Sequence, residues 1–66
     1  MKLRVNGEEH EHKGAGTVTA LLDELKAEPA RSAVLLNDDV VPRAAFATAR
    51  LKPGDRLEIL TLMGGG

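Results

Sequence analysis

"TVTALLDEL", residues 17 to 25, decides how the rest of the chain is read. Val18, Leu21, Leu22 and Leu25 fall at i, i+3, i+4 and i+7, the spacing that gathers apolar side chains into one stripe of an α-helix. Thr17 stands where an N-cap belongs, its hydroxyl free to accept from an early backbone N–H. Pro29 ends the helix or closely follows its end, so the spacing predicts about three turns, from Val18 to Ala27. A single amphipathic helix must bury its stripe against something, and the flanking sequence supplies strands for it.

Upstream, "KLRV" (2–5) alternates, with Leu3 and Val5 pointing one way and Lys2 and Arg4 the other, as in a half-buried strand. Asn6-Gly7 is a strong hairpin signal, because both residues tolerate positive φ. The returning "EEHEH" (8–12) is polar enough to predict an exposed edge strand. Downstream, "AVLLN" (33–37) is a short continuous apolar run that predicts a well-buried strand, and Asn37-Asp38-Asp39 has turn chemistry. Val40-Val41 returns briefly before Pro42, which cannot donate to a ladder. "RAAFATAR" (43–50) predicts a turn or two of irregular or 3₁₀ helix anchored by Phe46. Lys52-Pro53-Gly54-Asp55 suits a type II turn, and "RLEILTL" (56–62) is the last strand. One helix across one face of a small mixed sheet, with the last strand central beside the first, predicts an α+β β-grasp, the ubiquitin-like architecture, over residues 1–62.

Composition narrows the function. Sixty-six residues make one domain, which at this size buries only about 60% of its unfolded surface. With no cysteine there is no disulfide framework and no thiol to act as nucleophile, which fits a reducing cytoplasm. A net charge of −1 with interspersed signs offers nothing for nucleic acid or an anionic membrane. No apolar run approaches the ~18 residues of a membrane span. Ser32, the only serine, has no evident base and orienter, so an enzyme acting alone is not expected. His10 and His12 share a strand face, but no third ligand is signalled, and they are expected to be solvated on an edge strand rather than to hold a metal.

The end of the chain carries the chemistry. Along the last strand Leu57, Ile59 and Thr61 are expected to face the helix, leaving Leu60 and Leu62 on the open face beside Met63, as an apolar docking surface. Residues 63–66 are expected to form a flexible tail. Met63, Gly64, Gly65 and Gly66 reach about 13 Å when extended at ~3.3 Å each, and the glycines would pass through a channel too narrow for side chains. They would deliver the α-carboxylate of Gly66. A carboxylate becomes an acyl donor once attack on the α-phosphate of ATP makes it an acyl-adenylate, which sulfur can displace. Nothing in this chain would bind that ATP, so no cofactor of its own is expected, and a partner enzyme must supply the site.

"VNG" (5–7), "TVTALLDEL" (17–25), "LNDDVVPR" (36–43) and "LKPGDRLEILTLMGGG" (51–66) together resemble the ThiS family of sulfur carriers of bacterial thiamine biosynthesis, within the wider ThiS/MoaD ubiquitin-like group. The resemblance implies a cytoplasmic carrier whose Gly66 is adenylated by an E1-like enzyme of the ThiF type. It also implies conversion to a thiocarboxylate with sulfur from a persulfide donor, and delivery to a thiazole synthase of the ThiG type. Gly65 carries over as partner to Gly66, while Gly64 serves access. The alternatives are a carrier for molybdopterin, cysteine or siderophore synthesis, a ubiquitin-like modifier, and an interaction domain with incidental glycines.

Overall fold

The computed structural model describes residues 1–62 of the chain. In chain order the strands and helix are β1 (Lys2–Val5), β2 (Glu8–Glu11), α1 (Val18–Glu24), β3 (Ser32–Leu36), β4 (Asp39–Val41) and β5 (Arg56–Thr61), with 3₁₀ turns at Pro29–Arg31 and Arg43–Ala45. The strands form one sheet in the order β2-β1-β5-β3-β4. Each outer pair is an antiparallel hairpin, β5 runs antiparallel to β3, and β1 and β5 run parallel at the centre. This is the expected mixed sheet with the last strand central.

Local chemistry sets the two hairpins. Asn6 and Gly7 have φ of 51° and 83°, and Asn37 and Asp38 have 49° and 72°, the paired positive angles that a two-residue turn between twisted strands needs. Gly54 takes φ 88° in the turn after Pro53, closed by the Asp55 N–H donating to the Lys52 carbonyl at 3.1 Å. Both asparagines go further than turn formation. The Asn6 amide accepts from the Ile59 N–H (2.8 Å) and donates to the Ile59 carbonyl (3.2 Å), so its side chain extends the β1–β5 ladder by one step. Asn37 accepts from the Arg56 N–H (2.9 Å) and donates to Asp55 (3.0 Å). Each outer hairpin is thereby bonded to the central strand.

The helix starts as expected, with the Thr17 hydroxyl accepting from the Ala20 N–H at 3.2 Å. It ends sooner than expected, after seven residues rather than three turns. The Ala27 N–H donates to the Leu22 carbonyl and the Lys26 N–H to the Asp23 carbonyl, a Schellman closure with Lys26 at φ 58° where glycine is usual. Pro29 instead opens the following 3₁₀ turn. Val18, Leu21 and Leu22 are fully buried, whereas Leu25, placed on the stripe by periodicity, is only half-buried because it stands at the cap.

The core lies between α1 and one sheet face: Leu3 and Val5 from β1, Val34 from β3, Leu57 and Ile59 from β5, with Phe46 and Leu51 closing its end. Phe46 caps the Arg43–Ala45 turn and anchors it, as expected. The run at 33–37 is a correction. Of its apolar residues only Val34 is fully buried, Ala33 is exposed and Leu35 and Leu36 are half-buried, because only one face of the sheet is covered. Ser32 donates its hydroxyl to the Glu28 carbonyl at 2.7 Å and so serves the fold.

Candidate functional site

Strand β5 presents the two faces that alternation predicts. Leu57 and Ile59 are buried under the helix, while Glu58 and Leu60 point to the open face. Thr61, expected to face the helix with them, is exposed because α1 ends before it is reached. Leu60 lies directly opposite Ala33 on β3, and Leu35 stands between Glu58 on β5 and Val40 on β4. Val40 is 74% exposed and Leu60 56%. Val40, Leu35, Ala33 and Leu60 thus form an oblique apolar band across three strands. Leu62 follows the strand, 52% exposed, and rims a cleft of about 310 Å³ lined also by Leu25, Ala27, Arg31 and Thr61. Its N–H donates to the Arg31 carbonyl at 2.6 Å, which fixes where the chain leaves the sheet. Alternation along one strand was enough to pick out Leu60. Leu62, expected on the same open face, is exposed but lies past the end of β5, at the cleft beside the helix end. Val40, Leu35 and Ala33 carry no such signal, because they join Leu60 only through strand register.

Met63, Gly64, Gly65 and Gly66 lie outside the described residues. Their expected roles therefore start from the exit point at Leu62.

The two histidines are the main correction. His12 is buried, not solvated, and it and His10 both face the helix end. His10 Nε2 and His12 Nδ1 each lie 2.9 Å from the same oxygen, Oε1 of Glu24, while Oε2 of Glu24 accepts from the Lys13 N–H at 2.6 Å. The Gly16 N–H donates to His12 Nε2 at 2.9 Å. That nitrogen must therefore keep its lone pair, and the ring proton sits on Nδ1, facing Glu24. The hydrogen bond from His10, joined by those from His12 and Lys13, holds the Glu24 carboxyl at about 2 although burial opposes it. Among the described residues no group of three or more His, Cys, Asp or Glu side chains is arranged to hold a metal ion. The cluster ties the edge strand and the loop before α1 to the last turn of the helix.

A five-stranded mixed sheet crossed by one helix, with an apolar band beside the exit of a central last strand, defines a small β-grasp protein of the ubiquitin-like kind. Within that class the ThiS family model matches residues 3–66, and the chain belongs to the ThiS family. The crystal structure of the thiamine biosynthesis protein ThiS from Geobacter metallireducens is 43% identical, with a TM-score of 0.81 and complete coverage of both chains. The solution structure of a thiamine biosynthesis protein from the same organism has a TM-score of 0.78 at 43% identity, over all of this chain and 88% of that one. A thiazole synthase from Paramagnetospirillum magneticum is 42% identical over all 66 residues, which span only 20% of its length. A second, from Magnetococcus marinus, is 35% identical over the same residues and again 20% of its length.

Proposed function

We propose that this chain is a sulfur carrier for thiamine thiazole synthesis, a protein that is acted upon rather than an enzyme. The Gly66 carboxylate attacks the α-phosphate of ATP in the site of a ThiF-type adenylating enzyme, and pyrophosphate leaves. The terminal sulfur of a persulfide donor then attacks the acyl carbon and expels AMP. A thiol takes the donor's remaining sulfur into a disulfide, releasing the thiocarboxylate. That thiocarboxylate gives its sulfur to a ThiG-type thiazole synthase. ATP is bound by the partner, not by this chain, and these reactants place the work in the cytoplasm.

The observation that carries the reading is the ThiS family match through residue 66. The end of β5 supports it mechanically: Leu60 and Thr61 pair with Ala33 and Ser32 on β3, and the Leu62 N–H donates to the Arg31 carbonyl, so the base of the tail is held to the sheet. The band at Leu60 supports a docking role beside that base, and the exposed Leu62, at the cleft by the helix end, adds apolar surface next to it. The thiazole synthases that contain a stretch similar to the whole chain support that partner.

Incubation with the cognate adenylating enzyme, ATP and a persulfide source should replace one oxygen of Gly66 by sulfur, as read by intact-protein mass spectrometry. Fragmentation should place the sulfur on the final residue. Deleting Gly66, or adding one residue after it, should abolish the product without changing the thermal transition. The reacting carbon would then miss the phosphate, and ~1 Å of misplacement can cost about 100-fold. Gly65→Val should fail as well, because a branched side chain fills the channel. Equal sulfur uptake by the extended variant would defeat the carrier reading.

A further inference from the structure

The apolar band on the open face has a charge set into it. Glu58 stands on β5 directly opposite Leu35, which is itself opposite Val40, and Leu60 is the next residue along the same strand face. Side chains directly opposed across an antiparallel pair have Cβ atoms about 4.5–5.5 Å apart, and neighbours on one strand face are only slightly farther. A body that covers Val40, Leu35 and Leu60 must therefore cover Glu58 and strip its water.

None of the described residues prepares Glu58 for that. Among the described residues no ion pair includes it. The nearest cation on its strand face, Arg56, donates from Nη2 to Asp38 at 3.0 Å. Arg4, beside Arg56 in register across the sheet, donates to the Gly7 carbonyl at 3.1 Å. Both guanidiniums are turned to other acceptors. Removing water from an unpaired carboxylate is costly unless the covering surface supplies a counter-charge and hydrogen bonds.

We infer that the surface that covers this face is that of a thiazole synthase, and that it presents an arginine or lysine side chain to Glu58 from within an apolar patch. This rests on the carrier reading. Thiazole synthase is favoured as occupant because two such enzymes hold a stretch similar to this entire chain in the same polypeptide. Glu58 then determines specificity. A carrier with an apolar residue at that place would leave the synthase's cation buried and unpaired, a penalty that rejects it even though its apolar area is larger.

The substitution Glu58→Leu separates the two ways the face can work, because they predict opposite signs. Binding of the full chain to the purified thiazole synthase of the same organism would be measured by calorimetry at low and high salt. Melting curves would confirm that each variant is folded. Glu58→Leu should weaken binding about tenfold or more, and Glu58→Gln by a smaller factor. Both should flatten the salt dependence that the native pair shows. Leu60→Asp should also lose binding. Unchanged or tighter binding by Glu58→Leu would overturn the proposal while leaving the carrier reading intact. Native-like binding by Leu60→Asp would overturn it too, by removing the face from the interface. If the native chain itself did not bind, the carrier reading would fall first and this proposal with it.

Discussion

Glu24 accepts three hydrogen bonds from three different places: His10 on the edge strand, His12 just beyond it and the Lys13 backbone in the loop. Its carboxyl is held at about 2 against an ordinary 4.5, chiefly by the bond from His10. A depressed folded-state pKa stabilises the fold fully above the unfolded value, and the benefit is lost as pH falls toward the folded one. The window is thus about pH 4.5 down to about 2. Glu24→Gln should melt at a lower temperature than the native chain at neutral pH. That difference should shrink across this window in thermal melts followed by circular dichroism. A gap that stays constant down to pH 2 would mean that the charge of Glu24 contributes little. Sequence alone pairs His10 with His12 through period two, yet it does not reach Glu24, which lies more than ten residues away on another element.

At the scale of elements, the helix shows one expectation kept and one changed, and on β5 Leu57 and Ile59 are buried as expected while Thr61 is exposed. Periodicity identified the stripe at Val18, Leu21 and Leu22, all fully buried. It overextended the helix, because a Schellman closure on a lysine leaves no glycine to read. Leu21→Ala should therefore cost about 2–5 kcal/mol, and Leu25→Ala, at the cap, at most about 2 kcal/mol. Denaturant midpoints of the two variants would check that order. On β5, Leu60→Asp should change stability by no more than about 0.5 kcal/mol, since the side chain is exposed. A large loss of stability there would show that the band is covered within the chain itself.

Across the whole molecule, the last strand in sequence is the middle strand in space, so the sheet is complete only when residues 56–61 arrive. Asn6 and Asn37 fasten the two hairpins to that strand, one on either side. Asn6→Gly keeps the backbone free to hold φ near 51° and removes only the side-chain bonds to Ile59. Their loss leaves part-buried backbone groups at Ile59 unpaired and should cost about 1–3 kcal/mol. A urea titration should show a lower midpoint with an unchanged slope, because the surface exposed on unfolding stays the same. An unaltered midpoint would mean that solvent replaces the asparagine amide fully.

The sequence by itself determined what nearest neighbours along the chain decide. The hairpin turns follow from residues that accept positive φ, the helix start from Thr17, and the two faces of β5 from alternation. In the same way it singled out Leu60 as an exposed apolar residue on the open face. Only the tertiary structure decided which side chains meet across elements. Strand register set Val40, Leu35 and Ala33 beside Leu60 and placed Glu58 among them, and packing of the edge strand against the helix end buried His12 on Glu24. The reason is physical: propensity and period act over a few residues, whereas register and burial are set by contacts between segments far apart in the chain.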